Sequence, residues 1–316
     1  MRATCRCALV LLALVAAGCQ SSPPQEASLA LPPRLKGRAD LRITEEPYES
    51  QTVISRRMEV VTAYLKKATG LTVEYVPAIN YAHSHELLKR GLVDLITVGA
   101  FGGYQLMQAA PEAQPLLVQK PSFRLVMLAN KRRTPELAQL EKQHALVLLA
   151  GRRIGFGSRD SGASYLQPLL AMQKHGVSLK SIDVCWHEPV QTNLPVQVAD
   201  GTLDFAFIAS FNGDPLQNVA SELRKDVVVA WMSEPHRNDY IVTRLGALDP
   251  EQRLKLERVR EALLALDTFT PGEKEVLASW GYTGFEHPSP AFPDAMNQRI
   301  ERLLAQPNGL PTCESW

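Results

Sequence analysis

The chain is poor in cysteine, in aromatic residues and in net charge. Its 316 residues include 5 cysteines and 7% aromatic side chains, and the formal net charge is +1. A near-neutral chain lacks the basic surface that binds nucleic acid, and no basic stripe is interleaved with aromatic residues. No Cys/His spacing typical of a metal site is present. We therefore expect no nucleic-acid partner, no metal and no cofactor.

Long apolar runs are also missing, except for one at the N-terminus. Arg2 and Arg6 precede the apolar run 8–17, which is too short to span a bilayer, and Gly18-Cys19 follow it. This order is typical of a secretory signal peptide, and the run Ala-Ala-Gly-Cys resembles a bacterial lipobox, whose cysteine is lipidated. We expect residues 1–18 to be a lipoprotein signal peptide and Cys19 the lipidation site; the alternative is an ordinary secretory signal.

The expected export fixes the charge and the location of the mature chain. Removal of residues 1–18 takes away two arginines and no acidic residue, so the net charge falls from +1 to −1. Residues 19–38 have the composition of a linker. We expect a periplasmic protein held by its lipid anchor alone, on the outer membrane or the outer face of the inner membrane. Cys185 and Cys313 remain, and the compartment permits a disulfide between them, although the apolar setting of Cys185 suits a free thiol equally.

From Asp40 onward, predicted strands alternate with predicted helices. The strands are 41–44, 71–76, 92–98, 123–129, 153–156, 182–186, 203–209 and 227–231, and the helices among them are 53–69, 84–90, 161–175 and 190–200. The C-terminal part is predicted to be helical, with helix starts at Asp249 and Thr270. Such alternation predicts parallel sheets with helices on both faces, and about 280 residues are too many for one core. The sequence therefore predicts an α/β protein of two lobes, with a ligand cleft between them.

One strand-to-helix turn has the composition of an anion site. Strand 153–156 runs into residues 157–164, Gly-Ser-Arg-Asp-Ser-Gly-Ala-Ser, which open the predicted helix. The first amides of a helix lack partners within it and carry a partial positive charge, so they attract oxyanions. Ser158, Ser161 and Ser164 add hydroxyl donors. The alternative is an ordinary turn with Ser161 as the N-cap.

Five stretches, in consistent order, resemble one family of exported proteins. They are Tyr64 to Pro77, Tyr81-Ala82 with Gly91 to Leu95, Gly155 to Pro168, Ser233 to Val242, and Leu277 to Gly281 with Thr283-Gly-Phe285. Over residues 40–286 the chain resembles the phosphonate-type periplasmic substrate-binding proteins of ABC transporters (the PhnD/SsuA/transferrin-like family).

The resemblance implies a periplasmic-binding-protein fold of type II. Two α/β lobes, each a mostly parallel sheet flanked by helices, are joined by two crossing strands near 120–130 and 230–241, and the hinge closes on the ligand. Lobe 1 would then comprise residues 39–125 and 238–305, and lobe 2 residues 126–237. Residues 306–316 would form a C-terminal tail.

The resemblance also implies ligand contacts at the helix start. In the family this turn reads Ser-Thr-Ser-Gly before an aromatic residue and Leu, whereas here Ser161-Gly-Ala-Ser precedes Tyr165-Leu166. The first serine is kept, and the next two hydroxyls are lost. The backbone amides of Gly162 and Ala163 remain as donors, with Ser158 and Ser164 as sources of replacement hydroxyls.

Four further residues follow from the same resemblance. Tyr81 aligns with a tyrosine that reaches the anion from the other lobe, and its alternative is a packing role. Phe101, with Tyr104 as the alternative, is placed to line the cleft from a loop expected at 98–104. His187 resembles the family's pocket histidine, or is an incidental loop residue. Asp239 matches an acidic position, and otherwise caps the crossing strand.

We expect a monomer that captures a small oxyanion, of the phosphonate, phosphite or phosphate type, and delivers it to an ABC permease. Alternatives are a sulfonate or other organic ligand, or a partnership with a membrane sensor kinase or cyclase. The family's acid for a ligand ammonium is missing after strand 203–209, where Ser210-Phe-Asn stands. No Gly-x-Ser-x-Gly elbow is present, so we expect no enzyme. The adjacent Glu45 and Glu46 are expected to be solvated or at the rim of the cleft.

Overall fold

The described part of the chain forms two β-sheets, each flanked by helices. In this computed structural model it comprises residues 39–121, 123–210, 214–216, 219–235, 237–289 and 295–305. The expected signal peptide with Cys19, the linker, the tail and Cys313 lie outside these residues and stay predictions. The predicted α/β class is confirmed.

The secondary structure elements follow in chain order. The strands are β1 (Leu41–Glu45), β2 (Val73–Tyr75), β3 (Leu95–Gly99), β4 (Gln114–Gln119), β5 (Arg124–Asn130), β6 (Arg153–Phe156), β7 (Val184–His187), β8 (Phe205–Ser210), β9 (Val227–Met232), β10 (Asp239–Thr243) and β11 (Phe285–Glu286). The α-helices are α1 (Gln51–Thr69), α2 (Tyr81–Lys89), α3 (Ala100–Ala109), α4 (Gln167–Lys174), α5 (Leu194–Ala199), α6 (Pro250–Leu264), α7 (Pro271–Trp280) and α8 (Ala295–Leu304). A π-helical turn, Gly162–Leu166, leads directly into α4. Within the described residues, no helix is long and apolar enough to cross a membrane.

Both sheets mix parallel and antiparallel pairs, so the expectation of mostly parallel sheets is wrong. The six-stranded sheet has the order β11-β4-β10-β3-β1-β2, in which β1 pairs in parallel with β2 and β3, and β10 runs antiparallel to β3 and β4. The five-stranded sheet has the order β7-β6-β8-β5-β9, in which β6 pairs in parallel with β7 and β8, and β5 runs antiparallel to β8 and β9. The chain passes between the sheets twice, once between β4 and β5 and once between β9 and β10. The carboxyl ends of the parallel strands are where such folds bind ligands.

Helix α1 shows how the sequence pattern produces the packing. Ile54, Met58, Val61 and Leu65 recur at helical spacing and are all fully buried in one apolar cluster. The helix ends at Gly70, whose φ of +72° is the left-handed conformation that glycine adopts without strain. The predicted helix 53–69 is therefore confirmed, with its start two residues earlier.

The expected loop at 98–104 is wrong, since these residues complete β3 and begin α3. Two glycines weaken the helical sequence pattern in this stretch. Packing explains the glycine at one of these positions, because a Cβ on Gly102 would lie 1.9 Å from Oε1 of Glu46. Strand β4 was not predicted from the sequence.

Cys185, on β7, is disulfide-bonded. The alternative of a free thiol at this position is therefore wrong. Cys313 lies outside the described residues, so its pairing with Cys185 stays a prediction.

Candidate functional site

A small cavity lies where the two sheets and the helix start at Gly162 approach each other. It offers about 30 Å³ to the centre of a water-sized sphere. The six-stranded sheet and its loops contribute Glu46, Tyr48, Tyr81, Thr97, Val98, Gly99, Asn238 and Asp239, and the other sheet's side contributes Ser161, Gly162, Ala163, Gln191 and Ala209. The sides of both sheets therefore bring residues to one site, and Asn238 lies on the second crossing of the chain.

The helix start presents hydrogen-bond donors to the cavity. Ser161 is its N-cap, and its Oγ accepts hydrogen bonds from the Ser164 amide at 3.1 Å and the Ser164 hydroxyl at 2.9 Å. The next amides, of Gly162 and Ala163, have no acceptor within the helix, and none is found for them among the described residues. The Ser161 hydroxyl is also hydrogen-bonded to the Tyr81 oxygen, so the two amides are the donors that this helix start leaves open to an oxyanion.

Glycine is required twice in this turn. A Cβ on Gly157 would lie 1.8 Å from Oγ of Ser164, so glycine makes room for the side chain that bonds to Ser161. A Cβ on Gly162 would lie 3.1 Å from the nitrogen and 3.2 Å from the Cβ of Phe101, which belongs to α3. The helix start thus packs against the backbone of the opposite side.

Two tyrosine hydroxyls face the same cavity. Burial raises the pKa of Tyr81 and of Tyr48 well above the ordinary value, so both stay protonated donors. The Tyr48 oxygen accepts a 2.7 Å hydrogen bond from Nη1 of Arg57, and its hydroxyl donates to the Glu45 side chain.

Glu46 is buried, contrary to the expectation of a solvated or rim position for Glu45 and Glu46. Its Oε1 lies 2.7 Å from Nε2 of His85, and its Oε2 accepts a 2.8 Å hydrogen bond from the amide of Gly99. Burial raises the pKa of this carboxyl. Glu45 is also buried, and it is paired with Arg57 of α1, a partner that the local sequence did not reveal.

Asp239 begins β10 and lies beside Gly99, on the same side of the cavity as Glu46. Its Oδ2 accepts a 2.5 Å hydrogen bond from the Tyr282 hydroxyl, and its Oδ1 accepts one of 2.5 Å from Nδ2 of Asn238. Burial raises the pKa of Asp239 to about 7, with a contribution from the nearby Glu46, although the Tyr282 hydrogen bond acts in the other direction.

Two buried polar atoms of lining residues have no partner among the described residues. They are Oγ1 of Thr97 and Oδ1 of Asn238. The side-chain atom of Asn238 that faces Oδ1 of Asp239 must be the donor Nδ2. The atom without a partner is therefore the acceptor Oδ1. Buried polar atoms in native proteins are normally satisfied, so these two atoms are open to a hydrogen bond from a ligand or a water molecule.

Five of the nine predicted contacts line this cavity, namely Tyr81, Ser161, Gly162, Ala163 and Asp239. The other four lie outside its lining. Phe101 is buried against Leu166 and Ile300, and Ser164 is buried behind Ser161. Ser158 is half-buried in the turn, where its Oγ accepts a 3.3 Å hydrogen bond from the Asp160 amide.

The ring of His187 packs among aromatic residues on the side of the five-stranded sheet. Its Nδ1 lies 3.1 Å from the carbonyl oxygen of Gly157, so this nitrogen carries the proton. Burial lowers the pKa of His187, which leaves a neutral ring with an unprotonated Nε2. In this geometry Nε2 cannot donate to an oxyanion.

Sequence reasoning missed Glu46, Tyr48, Thr97, Gln191 and Asn238. A signal existed for Glu46, because it directly follows the carboxyl end of β1, which pairs in parallel with β3. Gln191 joins the site through its backbone amide, which donates a 3.1 Å hydrogen bond to the carbonyl of Tyr48.

The charge of the lining is unusual for an anion site. Among the described residues, no lysine or arginine lines the cavity, whereas two carboxyl groups do. No group of three or more His, Cys, Asp or Glu side chains in the described ranges is placed to hold a metal ion. A bound anion would be held by neutral donors, as helix amides and hydroxyls permit.

Comparison with known proteins gives one family match. Residues 43–291 match the model of the family described as "ABC transporter, phosphonate, periplasmic substrate-binding protein". The probable ABC transporter phosphite binding protein PhnD1 of Prochlorococcus marinus (strain MIT 9301) is 27% identical over 143 residues. That match covers 44% of this chain and 47% of the relative, so the chain spans about half the length of this curated relative.

Two solved structures show the same fold. PhnD1 from Prochlorococcus marinus (MIT 9301), in complex with methylphosphonate, has a TM-score of 0.73 at 19% identity, over 85% of this chain and 98% of that one. A binding protein component of an ABC phosphonate transporter from Pseudomonas aeruginosa has a TM-score of 0.63 at 20% identity, over 78% of this chain and 81% of that one. These likenesses confirm the predicted two-lobed fold.

Proposed function

The chain belongs to the periplasmic substrate-binding proteins of phosphonate ABC transporters, and from this premise we propose that it binds one small oxyanion of the phosphonate, phosphite or phosphate type. The ligand would lie in the cavity at Gly162, between the lobes. The family consists of binding proteins for transport, so we propose no catalytic step.

One observation carries the proposal, namely the set of neutral donors around the cavity. The amides of Gly162 and Ala163 and the hydroxyl of Tyr81, to which the Ser161 hydroxyl donates, all belong to lining residues. Hydrogen bonds to a charged group contribute roughly 1.5–3 kcal/mol each, and a helix N-terminus adds about 0.3–1 kcal/mol. A few such contacts are enough for micromolar binding, which needs about 8 kcal/mol.

The size of the cavity supports a ligand with a very small substituent. About 30 Å³ for the centre of a water-sized sphere corresponds to a few heavy atoms. Phosphite and methylphosphonate are of this size, and they are the ligands in the names of the Prochlorococcus marinus relative and its structure. We therefore favour a hydrogen or a single carbon on the central atom.

The arrangement of the lobes supports capture by closure. We propose lobe 1 at 39–125 and 238–305 and lobe 2 at 126–237, because the chain passes between the sheets after β4 and after β9. The ligand would then be delivered to an ABC permease. We propose a periplasmic lipoprotein anchored at Cys19, which rests on the lipobox-like sequence alone.

Calorimetric titration of the purified full-length protein tests the function. Phosphite, methylphosphonate and phosphate are the probes, and chloride is the control anion. We expect at least one probe to bind with a micromolar or lower Kd and to raise the Tm. The absence of any heat or Tm shift with all three probes contradicts the proposal.

A further inference from the structure

One end of the cavity is built from hydrogen-bond acceptors. Glu46, Asn238 and Asp239 converge next to Gly99, where a Cβ would lie 3.5 Å from Oε2 of Glu46 and 3.8 Å from Oδ1 of Asp239. All three side chains are at least nine-tenths buried. We call these three residues the acceptor cluster.

The acceptor cluster still has accepting capacity after its internal hydrogen bonds are made. Each carboxyl oxygen of Glu46 and Asp239 accepts one bond from His85, Gly99, Tyr282 or Asn238, and a carboxylate oxygen can accept two. Oδ1 of Asn238 accepts none from the described residues. No lysine or arginine from the described part of the chain reaches the lining to offset these acceptors.

A fully deprotonated oxyanion is a poor match for such a surface. Where Glu46 and Asp239 are ionised, its oxygens would meet their oxygens, and lone pairs would face lone pairs. The opposite end of the cavity, at Gly162 and Ala163, supplies only donors. The ligand that satisfies both ends therefore has bare oxygens on one side and a hydroxyl on the other.

We propose that the acceptor cluster selects a singly protonated tetrahedral oxyanion, whose hydroxyl donates its hydrogen bond to Glu46, Asn238 or Asp239. This inference rests on the proposed function and names the ionic form that the site takes. Phosphonates, phosphite and phosphate carry such a proton near neutral pH. Sulfonates and sulfate carry none, and they would leave the acceptor cluster unsatisfied.

A ligand ammonium is the competing occupant of the acceptor cluster. The small cavity favours a hydroxyl over an ammonium, because an ammonium needs an alkyl spacer beside the oxyanion group. A metal ion is the other occupant that carboxylates attract. Within the described residues, no group of side chains suitable for one is present.

The test compares methylphosphonate with methanesulfonate, which have the same shape and differ in the acidic hydroxyl. We expect full-length wild-type protein to bind methylphosphonate at least about a hundredfold more tightly at pH 7, because a site built for a ligand hydroxyl strongly rejects an analogue without it. Glu46→Gln replaces one acceptor oxygen by a donor, so we expect this preference to fall about tenfold or more. Glu59→Gln, at an exposed carboxyl of α1, is the matched control and should leave the preference unchanged.

Each outcome distinguishes the inference from the function. Equal affinity of the wild type for both ligands overturns the inference and leaves oxyanion binding intact, whereas no binding of either ligand, of phosphite or of phosphate overturns the function itself. Tighter binding of aminomethylphosphonate than of methylphosphonate, lost in Glu46→Gln, assigns the acceptor cluster to an ammonium and also overturns the inference. The wild-type comparison needs no variant, so it decides the matter even where Glu46→Gln fails to fold.

Discussion

The hydroxyl of Tyr282 donates a 2.5 Å hydrogen bond to Oδ2 of Asp239. Tyr282 follows the end of α7 and stacks on Trp280, with ring centroids 5.6 Å apart and planes inclined by 12°. Phe285 packs edge-on against both rings. A rigid aromatic group from the C-terminal part of the chain therefore fixes the orientation of a carboxyl group in the cavity.

The first prediction concerns pH and Asp239. Its pKa is about 7 in the folded protein, against 3.8 for an unperturbed aspartate, because burial disfavours the charged form. Its contribution to stability is therefore complete below about pH 4 and is lost as the pH rises through 7. We expect the free energy of unfolding of the ligand-free protein to fall by on the order of a few kcal/mol between pH 5 and pH 8, and the Tm to fall with it.

The variant Asp239→Asn keeps an acceptor for Tyr282 and removes the titration. We expect a flatter Tm profile from pH 5 to 8, with a remainder of the same sign because burial also raises the pKa of Glu46. Asp183→Asn, at an exposed position, is the control and should retain the wild-type slope. A wild-type profile in Asp239→Asn would show that another group carries the pH dependence.

The second prediction concerns Ser161→Ala. This change removes a hydroxyl from the cavity and the acceptor for the amide of Ser164. We expect the Kd for the bound anion to rise about tenfold or more and the free energy of unfolding to fall by about 1 kcal/mol.

Two serine variants serve as its comparisons. Ser178→Ala removes an exposed cap that accepts from the amide of Lys180, so it tests loss of a cap without the cavity. Ser158→Ala tests whether the predicted contact at Ser158, which lies outside the lining, takes part in binding. Calorimetry on all three variants separates these roles, and an unchanged Kd in Ser161→Ala would place the anion elsewhere.

The turn at residues 157–164 could be predicted from the sequence because its signals are local. Strand β6 begins and ends at the predicted residues, and the Gly and Ser residues after it open a helix at the cavity. The helix α3 could not be predicted in this way. In the sequence, Gly102 suggests a loop. Glycine is needed there because the carboxyl of Glu46, from a distant part of the chain, occupies the space of a side chain.

The acceptor cluster shows a second limit of sequence reasoning. Asn238 follows β9 in a segment without periodicity, and only the crossing to β10 brings it next to Glu46. Asp239 was found through a family resemblance, not through its own pattern. Side chains contributed by crossing segments have no spacing rule that a sequence displays, whereas strand ends in a parallel sheet do.

The third prediction concerns the close contact at Gly162. In Gly162→Ala the new methyl group would lie 3.1 Å from the backbone nitrogen of Phe101, an atom that cannot move without α3. Overpacking of this kind costs roughly 1–3 kcal/mol. Because the contact joins the two sides of the cavity, we expect the cost to appear as weaker anion binding, with a Kd about tenfold higher or more.

Gly272→Ala is the control, since nothing lies within 4 Å of a Cβ at that position. We expect it to leave both the Kd and the Tm close to wild type. An equal Kd for Gly162→Ala and wild type would show that the two sides separate or shift without cost to binding.

The fourth prediction concerns Arg57 of α1. Its guanidinium forms buried ion pairs with Glu45 and Glu49, and it also donates to the hydroxyl of Tyr48. Arg57→Met leaves two buried carboxylates without their partner, which typically costs about 3–5 kcal/mol. Urea unfolding should show this loss, and the Kd should rise as well because Tyr48 lines the cavity.

A matched change separates the two effects. Arg42→Met removes a half-exposed ion pair of 3.4 Å with Glu74 on the same sheet, where the expected cost is only about 0–1 kcal/mol. A loss of stability in Arg57→Met no larger than in Arg42→Met would contradict the buried network.

The last prediction concerns α8, the C-terminal helix. Ile300 is fully buried in a cluster with Phe101 of α3 and Leu166 of the helix start, so one side chain packs against both sides of the site. Ile300→Ala should lower the free energy of unfolding by about 2–5 kcal/mol, as other large-to-small core changes do. Ile54→Ala removes an equally buried side chain from α1, which packs in a different cluster. Because this cluster joins both sides of the site, we expect only Ile300→Ala to raise the Kd for the anion and to shift small-angle scattering of the liganded protein towards a more open form. Equal Kd values for the two variants would limit α8 to a role in stability.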